Sequence, residues 1–549
     1  MKGGEIMKTG IYKVREISNE PILSYKAGSQ EKLELKKTLS DMKEEVMEIP
    51  LIIGGQEIKT DNVIEVRIPH NHQHVLAKYH LAGEKELNMA IKSAKDAKKA
   101  WETMGLEHRM SIFLKAAELI SGPYRARMNA ATMLGQSKTV FQAEIDSACE
   151  LIDFLRYNVK YMEEIYQEQP KSTPSEWNRL DFRPLEGYVL AITPFNFTAI
   201  GGNLPTAPVM LGNVAIWKPS NNAVYSNYMF MKVLEEAGLP KGVINFVPSV
   251  GSQVEEVLIK NKDLAGIHFT GSSKVFENIY KVVGENIGIY KSFPRLVGET
   301  GGKDYIFAHN SCDIDALATA FTRGTFEFQG QKCSAASRSY VPKSIWGELR
   351  NKLEKNIEEI KMGDVENFTN FMSAVIDKKA FHKIKGYIDY AKDSDDAEII
   401  FGGVCDDSTG YFIEPTIILT TNPKFKTMEE EIFGPVMTLY VYKDEDFEKT
   451  LKLCDETSPY GLTGAIFARD RDIIEKMQRE LYHSVGNFYI NDKPTGAVVG
   501  QQPFGGGRKS GTNDKAGSKY NLLRWINIRN TKENLNPPHD YRYDFMEEE

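Results

Sequence analysis

The sequence has few cysteines and no excess of positive charge. Five cysteines in 549 residues (Cys149, Cys312, Cys333, Cys405 and Cys454) form an odd and sparse set. Such a set excludes a disulfide scaffold and fits a reducing compartment. Lysines and arginines total 68 against 76 aspartates and glutamates, a net charge of -8. Because nucleic-acid binding depends on basic surface, this balance argues against nucleic acid as the main partner.

Several familiar signals are also absent. The sequence contains no GxGxxG, Walker A or HExxH motif, so it lacks the simplest signatures of nucleotide binding and of zinc proteases. No repeat of 20–50 residues is visible. The N-terminal segment has no apolar core, and its acids Glu5, Glu16 and Glu20 are unlike a transit peptide. We therefore expect a cytoplasmic protein, with the mitochondrial matrix as the alternative.

Residues 187–217 contain no charged side chain. The stretch is long enough for a membrane span. However, it includes Pro194, Pro205 and Pro208 together with three asparagines, whose polar groups would be unsatisfied in lipid. We interpret the stretch as a strand, loop and helix buried in a protein core, and we expect no membrane partner.

The hydrophobic pattern predicts an α/β fold. Helical spacing dominates residues 84–166, and four short apolar runs then alternate with helical or loop segments: 187–192, 213–220, 243–248 and 266–272. Buried strands that alternate with helices indicate a parallel sheet, with a ligand site at the carboxyl ends of the strands. A second alternating region runs from about residue 298 to 507.

Three residues stand in settings that suit catalysis. Cys333, in FEFQGQKCSAAS, follows a predicted helix and a glycine turn, where a thiol can become a nucleophilic thiolate. Glu299, in LVGETGGKDY, precedes a flexible turn that would let a general base reorient. Asn196, in ITPFNFTAIGGN, could donate to an oxyanion. Taken singly, each has a simpler interpretation: a buried inert cysteine, a solvated turn acid and a loop asparagine.

Seven motifs occur together in a recognisable order: ITPFNF, WKPS, FTGS, GETGGK, GQKCSA, EEEIFGPV and PFGGGRKSG. With this order and spacing, the chain resembles the aldehyde dehydrogenase superfamily over residues 19–544. Four further segments, GQSKTVFQAEID, FTAIGGN, GQQPFGG and SGTNDK, are similar to its glutamate-semialdehyde branch, the delta-1-pyrroline-5-carboxylate dehydrogenases.

The resemblance implies two Rossmann-like, doubly wound α/β domains and a small β oligomerisation element. It divides the chain into an N-terminal arm (1–48), an NAD-binding domain (49–160 and 181–299), a catalytic domain (300–507), and an oligomerisation element with the tail (161–180 and 508–549). A homodimer or higher homo-oligomer is expected. No segment remains for a fused proline dehydrogenase, so a separate one is expected to supply the substrate.

The resemblance also implies roles for individual residues. Cys333 would be the nucleophile, Asn196 the oxyanion donor and Glu299 the base that activates water to hydrolyse a thioester. The implied cofactor positions are Thr193, Pro194, Phe195, Lys218, Ser220, Gly251, Gly271, Ser272, Glu431 and Phe433. Two departures concern the cofactor: Asn221 replaces the family's usual acid, and Glu255 replaces a glycine expected after Gly251. Because an acid at position 221 repels a 2′-phosphate, its absence makes the preference less sharp than usual: NAD is expected, with NADP as a weaker alternative.

The implied substrate is L-glutamate 5-semialdehyde, which is in equilibrium with 1-pyrroline-5-carboxylate. Its carboxylate would bind the backbone N–H groups of Gly496 and Ala497 and the hydroxyl of Ser334, within an anchor loop at residues 495–504. Ala497 stands where the branch often has serine. The implied acid near the substrate's amino group is Glu144, and the implied aromatic walls are Phe197 and Phe504.

Other interpretations remain open at this point. His70, His72 and His74 alternate on a predicted strand and could bind zinc. No fourth ligand is visible and the chemistry needs no metal, so we predict none. The substrate could instead be another semialdehyde or an aliphatic aldehyde. From a different class, the chain could be a catalytically silent scaffold, although Cys333, Glu299 and Asn196 argue against this.

Overall fold

The computed structural model describes residues 13–547. Residues 1–12 of the predicted arm and the last two residues of the predicted tail therefore lie outside the described range. Within that range, no helix has the length and apolar character needed to cross a membrane.

Five of the α-helices lie between Glu84 and Gln167, and the later helices alternate with strands. In chain order they are α1 (Gln30–Glu44), α2 (Glu84–Thr103), α3 (Leu106–Ser121), α4 (Arg125–Gln136), α5 (Val140–Ala143), α6 (Leu151–Gln167), α7 (Thr198–Met210), α8 (Val224–Ala237), α9 (Gly251–Gln253), α10 (Ser273–Glu285), α11 (Ile314–Phe326), α12 (Lys343–Glu359), α13 (Lys378–Lys392), α14 (Lys426–Glu429), α15 (Phe447–Glu456), α16 (Arg471–Glu480) and α17 (Lys519–Leu523). Two π-helical segments, Glu144–Glu150 and Val254–Ile259, lie before α6 and after α9.

The strands are short and most of them are buried. They are β1 (Met47–Ile49), β2 (Leu51–Ile53), β3 (Gln56–Ile58), β4 (Val63–Ile68), β5 (Asn71–His80), β6 (Glu176–Pro184), β7 (Tyr188–Ile192), β8 (Val214–Lys218), β9 (Ile244–Phe246), β10 (Leu264–Thr270), β11 (Arg295–Glu299), β12 (Asp304–Ala308), β13 (Ala336–Pro342), β14 (Ala397–Phe401), β15 (Cys405–Asp406), β16 (Phe412–Ile413), β17 (Thr416–Thr420), β18 (Val436–Tyr442), β19 (Tyr460–Gly461), β20 (Thr463–Phe467), β21 (Asn487–Ile490), β22 (Gly507–Arg508) and β23 (Ile526–Asn534).

Side-chain caps fix where several helices begin. The side chains of Ser29, Ser272, Asp313, Asp377 and Asp470 each accept a hydrogen bond from a backbone N–H in the first turn of the helix that follows. These short polar residues satisfy N–H groups that have no partner within the helix. The cap at Ser272 matters most for the site, because it points the N-terminus of α10 toward the carboxyl end of β10.

The first large sheet has seven strands in the order β11-β10-β7-β8-β9-β2-β3. The strands from β11 to β9 are parallel, whereas β2 and β3 form an antiparallel extension joined by a turn at Gly54-Gly55. The four apolar runs predicted as strands are β7, β8, β9 and β10, so the predicted parallel sheet is confirmed. Strand order reverses at β7, which makes the gap between β7 and β10 the place for a ligand.

The uncharged stretch at residues 187–217 forms β7, α7 and β8 in the centre of this layer. Except for intermediate exposure at a few positions near the β7–α7 connection, its residues are buried. Pro205 and Pro208 lie inside α7. The interpretation of a buried strand, loop and helix is confirmed.

The second large sheet has the order β14-β17-β18-β13-β12-β20-β21, and only β14 is antiparallel to its neighbour. Side chains alternate between its faces, as in any strand. Along β12, Tyr305 and Phe307 belong to one hydrophobic cluster, while Ile306 and Ala308 belong to the cluster on the opposite face. The α/β fold class predicted from the sequence is thus confirmed for both halves of the chain.

The strands β6 and β23 form a separate two-stranded antiparallel ribbon, paired residue for residue from Glu176–Asn534 to Pro184–Ile526. Ion pairs Arg179–Glu533 and Arg529–Asp181 cross it at 2.7 and 2.6 Å. These segments fall in or beside the region assigned above to the oligomerisation element.

The prediction that His70, His72 and His74 alternate along one strand is wrong. His70 lies in the turn before β5, where its Nδ1 is 2.8 Å from the Ser137 hydroxyl. His72 and His74 lie on β5, with Nε2 bound to the backbone oxygens of Asp407 and Lys43. Between residues 13 and 547, no group of three or more His, Cys, Asp or Glu side chains is arranged to hold a metal ion.

Candidate active site

A cavity of about 540 Å³ lies between the two large sheets, at the carboxyl ends of β7, β8 and β10. This is the position expected for a ligand at the reversal of strand order. Nine of the ten predicted cofactor positions line it: Thr193, Pro194, Phe195, Lys218, Ser220, Gly271, Ser272, Glu431 and Phe433. Gly251 does not. It begins α9, and a Cβ atom there would meet nothing within 4 Å, so close packing does not require glycine at this position.

Cys333 and Asn196 line the same cavity. Cys333 follows a backbone kink at Phe328 and Gln329, both of which have positive φ (51° and 55°). The Gln329 amide holds this kink by donating to the backbone oxygens of Ser137 and Ala374, at 3.1 and 2.7 Å. The segment that carries Cys333 is therefore held in one conformation by the Gln329 hydrogen bonds.

The surroundings of Cys333 favour its neutral thiol. Burial raises the pKa of the thiol well above its usual value, and the nearby acids Asp304, Glu431 and Glu299 raise it further. A Cβ on Gly302 would lie only 2.2 Å from the Cys333 carbonyl oxygen. The GETGG turn and the cysteine loop can approach this closely only because residue 302 is glycine.

Asn196 is 4% exposed and precedes the helix α7. Its Nδ2 donates to the Gln331 carbonyl oxygen at 3.1 Å, which leaves one N–H for a ligand. Asp146 fixes the start of α7 by accepting from the backbone N–H groups of Thr198 and Ala199 at 2.9 and 2.8 Å. Asp146 is itself paired with the buried Lys138 at 2.7 Å. The buried Lys138–Asp146 ion pair therefore holds the start of α7, directly after the loop that carries Asn196.

Glu299 ends β11, as predicted, but its carboxylate does not line the cavity. It accepts a hydrogen bond from the Gly506 N–H at 3.2 Å and lies close against Gly505 and Gly511. Burial raises its pKa well above the usual value, and the ammonium of Lys515 only partly opposes this. The next residues, Thr300 and Gly301, do line the cavity. The chain therefore reaches the cavity directly after Glu299, although the Glu299 carboxylate points elsewhere.

Glu431 is tied to the same GETGG turn. Its carboxylate accepts from the Gly302 N–H at 2.9 Å, and a Cβ on Gly301 would lie 2.6 Å from it. Its backbone oxygen accepts from the Lys383 ammonium at 3.0 Å. Phe433, with φ of 62°, packs edge-on against Phe195 at 5.8 Å between ring centroids.

Lys218 ends β8, Ser220 lies two residues beyond it, and both line the cavity. Burial lowers the pKa of Lys218 to about 8. The neighbouring Asn221 has a buried side-chain oxygen with no hydrogen-bond partner. Such a buried acceptor is costly unless another group donates to it, but Asn221 is not among the residues that line the cavity.

The predicted substrate residues lie outside this cavity. Ser334 is next to Cys333, and its hydroxyl is 2.9 Å from that of Thr495, which links the cysteine loop to the anchor loop. Gly496 has a φ of 95°, and Phe504 pairs with Ala516 through two backbone hydrogen bonds. The ring of Phe197 lies 4.0 Å from the Lys138 ammonium.

Glu144 is not brought to this region. It is fully buried in a network that anchors the N-terminal arm, where it accepts from Tyr25, Asn129, Arg125 and the Leu23 N–H. All its acceptor capacity is directed there, so the implied contact between Glu144 and a substrate amine is wrong. The segment GQSKTVFQAEID, which carries the resemblance here, therefore indicated an acid that supports the arm.

Glu150, which the sequence did not single out, lies within electrostatic range of Lys332. It ends the π-helical segment and is partly exposed. Burial raises its pKa to about 8, although Lys138 and Lys332 lower it. Lys332 directly precedes Cys333. The extra residue in a π-helical turn changes which side chains share a face, and α-helical spacing in the sequence could not reveal this.

Comparisons with known proteins agree with this geometry. The aldehyde dehydrogenase family matches residues 57–531. The chain is 53% identical, over 96% of its length and 95% of the relative's, to the mitochondrial delta-1-pyrroline-5-carboxylate dehydrogenase of Dictyostelium discoideum. It is also similar to the crystal structure of the Mycobacterium tuberculosis delta-pyrroline-5-carboxylate dehydrogenase bound with NAD (46% identity, TM-score 0.95, covering 98% of this chain and 100% of that one). A proline utilization A structure from Bdellovibrio bacteriovorus matches at 29% identity and a TM-score of 0.90, covering 94% of this chain and 53% of that one.

Proposed function

The chain belongs to the aldehyde dehydrogenase family, and from that premise we propose that it oxidises L-glutamate 5-semialdehyde to L-glutamate with NAD⁺, a step of proline degradation. The semialdehyde forms when 1-pyrroline-5-carboxylate takes up water. The observation that carries the proposal is the cavity that ends at Cys333, with nine cofactor positions along it and Asn196 beside the thiol. Near-full-length similarity to delta-1-pyrroline-5-carboxylate dehydrogenases supports the choice of substrate.

Cys333 is the nucleophile in this proposal. The thiol first gives its proton to an ionised carboxylate nearby, and the thiolate then attacks the aldehyde carbon. The carbonyl π electrons move to oxygen, and the oxyanion of the resulting thiohemiacetal accepts from Asn196 Nδ2 and the Cys333 N–H. One such donor lowers the barrier by about 2.7–4 kcal/mol. NAD⁺, when bound, supplies the acceptor for the hydride that leaves this carbon. The remaining thioester is fixed covalently at the site, which solves the problem of positioning a free aldehyde hydrate.

Glu299 is the base that completes the turnover. It takes a proton from water, the resulting hydroxide attacks the thioester carbonyl, and the thiolate of Cys333 leaves as the acid product forms. A carboxyl group with a pKa well above its usual value is a better proton acceptor than an ordinary glutamate. Its resting place against Gly506 requires a rotation of the side chain toward Cys333 before it can act.

The cavity residues fit NAD. Lys218 and Ser220 would hold the adenosine ribose, Ser272 at the start of α10 the pyrophosphate, and Glu431 the nicotinamide ribose. The similarity to a delta-pyrroline-5-carboxylate dehydrogenase structure bound with NAD supports NAD as the preferred cofactor. Initial rates with both cofactors at matched concentrations decide this, and a clear preference for NADP would refute it.

The substrate is held at its far end by the anchor loop. The backbone N–H groups of Gly496 and Ala497 and the hydroxyl of Ser334 bind the carboxylate, with Phe197 and Phe504 as walls. Glu150, beside Lys332, replaces Glu144 as the acid that meets the substrate's amino group. Ser334→Ala should cost about 1–3 kcal/mol in kcat/KM, as expected for a lost hydrogen bond to a charged group.

Two further features concern the cellular setting. A separate proline-oxidising enzyme supplies the cyclic imine, and the chain acts as a homodimer or larger homo-oligomer through the β6–β23 ribbon. The name of the relative in Dictyostelium discoideum includes "mitochondrial", so the mitochondrial matrix stands beside the cytoplasm as the proposed compartment. Imaging of a C-terminal fluorescent fusion distinguishes the two compartments.

NADH formation with pyrroline-5-carboxylate, measured beside succinate semialdehyde and propanal, tests the proposal. We expect the highest kcat/KM with pyrroline-5-carboxylate and no turnover by Cys333→Ser with any of the three. A preference for propanal or succinate semialdehyde would identify a different aldehyde dehydrogenase. Full biological activity of the Cys333→Ser variant would instead point to a scaffold.

A further inference from the structure

Asn19, in the N-terminal arm, joins the arm to both α6 and the anchor loop. We propose that Asn19 is a positioning residue for substrate recognition: its side-chain amide holds the anchor loop in the conformation that binds the substrate carboxylate. The inference deepens the proposed function and rests on it. It assigns a role in specificity to a residue more than 300 positions away from Cys333 in the sequence.

The amide of Asn19 uses its full hydrogen-bonding capacity. Its Nδ2 donates to Asp153 Oδ2 at 2.8 Å and to the Val499 carbonyl oxygen at 2.7 Å. Its Oδ1 accepts from Gln501 Nε2 at 3.0 Å and from the Tyr157 hydroxyl at 3.4 Å. Both N–H groups and both lone pairs are therefore used, and three of the four contacts have good geometry for neutral or charge-assisted hydrogen bonds.

The arm that carries Asn19 is firmly attached to the body. The Glu20 N–H donates to Asp153 Oδ1 at 2.8 Å, so Asp153 binds two successive arm residues. The Glu20 carboxylate is 8% exposed and accepts from Ser121, Arg125 and Arg156. Breaking such buried ion pairs is strongly unfavourable, by about 3–5 kcal/mol when one partner is removed. Asn19 is thus held in place by the arm, and it can fix the position of the anchor loop through its hydrogen bonds to Val499 and Gln501.

The anchor loop needs support from outside because it contains no helix or strand. Gly496 and Gly500 adopt positive φ angles of 95° and 84°, and a Cβ at Gly500 would lie 2.4 Å from the Tyr157 ring. At one end, Thr495 is bound to Ser334. At the other end, Asn19 holds the Val499 carbonyl. The backbone N–H groups of residues 496 and 497 lie between these two attachments.

The placement of Asn19 predicts a selective effect. Backbone donors bind a carboxylate well only when their directions are fixed beforehand, since ordering a loop on binding costs about 1–2 kcal/mol per residue. Neither Asn19 nor any of its hydrogen-bond partners lines the cofactor cavity. Loss of the amide should therefore weaken binding of a carboxylate-bearing substrate and leave the cofactor and the thiol unaffected.

The test uses the full chain with two substitutions, Asn19→Ala and the isosteric Asn19→Asp. Both remove the donors to Val499 and Asp153, and the aspartate keeps the side chain's volume. The matched control is Ser18→Ala, the exposed neighbour in the same arm. We expect both Asn19 variants to raise KM for pyrroline-5-carboxylate roughly 3- to 30-fold. We expect kcat, KM for NAD and kcat/KM for propanal to stay within about twofold of wild type.

Several outcomes would overturn the inference. An unchanged KM for pyrroline-5-carboxylate, a wild-type KM in Asn19→Asp, or an equal loss of kcat/KM for propanal would each show that the amide does not position the anchor loop. Thermal unfolding of each variant identifies a general loss of fold. Such a loss would lower kcat/KM for propanal as much as for pyrroline-5-carboxylate, and it would therefore also overturn the inference. If the wild-type chain does not oxidise pyrroline-5-carboxylate, the proposed function itself fails, and that result is distinct from any of the others.

Discussion

Cys333 lies in surroundings that hold its sulfur as a thiol, although the proposed reaction needs a thiolate. The acids that raise its pKa, Asp304, Glu431 and Glu299, have raised pKa values themselves because they are buried as well. Any of them that is ionised is therefore a stronger base than a surface acid. The resting site stores a protonated nucleophile beside groups able to take its proton, which protects the thiol from oxidation and alkylation.

This arrangement predicts a slow and strongly pH-dependent alkylation of Cys333 in the protein without cofactor. Because the pKa of the thiol lies above its usual 8.5 or so, the thiolate fraction should still rise between pH 8 and pH 10. The rate of iodoacetamide labelling, followed for the Cys333 peptide by mass spectrometry, measures this, and Cys333→Ser supplies the blank. A labelling rate that levels off below pH 8 would contradict the prediction.

Glu144 and Glu150 are a matched pair for separating structural from substrate-binding roles. Glu144→Gln removes one of the two carboxylate partners of the buried Arg125, which keeps Glu20, and should cost at most about 3 kcal/mol of stability. Glu150→Gln replaces an acid that burial already disfavours in its charged form, so it should leave the stability unchanged or higher. Instead it should raise KM for pyrroline-5-carboxylate. Urea denaturation and steady-state kinetics on both variants check this, and the reverse pattern would restore Glu144 to the substrate site.

The same pair shows what the sequence could and could not reveal about the site. Cys333, Asn196 and the cofactor positions each belong to a contiguous motif at a strand end or helix start, so their motifs also place them in space. Glu150 depends on the π-helical register before α6, and Asn19 on contacts with residues 134 and 480 positions away. Local patterns carry no information about either.

At the scale of elements, the strands of the first sheet could be predicted because each is a short apolar run between turn residues. The helices near residues 84–166 were visible through their spacing. The misassigned element was the turn at His70, which reads as part of an alternating strand although bulges at the end of the β4–β5 pair shift the register there. Long-range pairing, such as β2 against β9, has no local signal either.

His268, on the central strand β10, should make the protein sensitive to acid. Its Nδ1 donates to the Leu204 carbonyl of α7, its ring packs on Trp525, and burial lowers its pKa to about 4. The stability is complete above pH 6.5, where the residue is neutral in both states. As the pH falls from 6.5 to 4, only the unfolded chain takes up a proton, so about 3 kcal/mol is lost.

Urea midpoints measured from pH 7.5 to pH 5 test this contribution. His268→Gln keeps a donor for Leu204 but cannot titrate, so its midpoint should fall less steeply with decreasing pH than that of wild type. The exposed His483→Gln variant should follow the wild-type slope. Equal slopes for His268→Gln and wild type would show that other groups govern the loss of stability in acid.

At the scale of the whole molecule, the β6–β23 ribbon stands apart, because its two strands pair only with each other and join neither large sheet. A two-stranded ribbon is marginally stable in water and presents two open edges. Trp177 and Ile528 are 53% and 50% exposed, and Leu535, just beyond β23, is 61% exposed. Since Ile528 pairs with Phe182, five positions from Trp177, the two side chains lie on opposite faces. The second copy that we propose would cover these faces and edges.

The double substitution Trp177→Glu with Ile528→Glu should therefore shift the protein toward the monomer in size-exclusion chromatography with light scattering. Because one chain contributes Cys333, Asn196 and the nine cofactor positions, the monomer should retain NAD binding. Val404→Glu, at a 59% exposed residue outside the ribbon, is the control and should leave the assembly intact. A wild-type chain that is already monomeric, or a double variant that keeps the wild-type mass, would remove the ribbon from the proposed interface and leave its exposed aromatic and aliphatic side chains without that explanation.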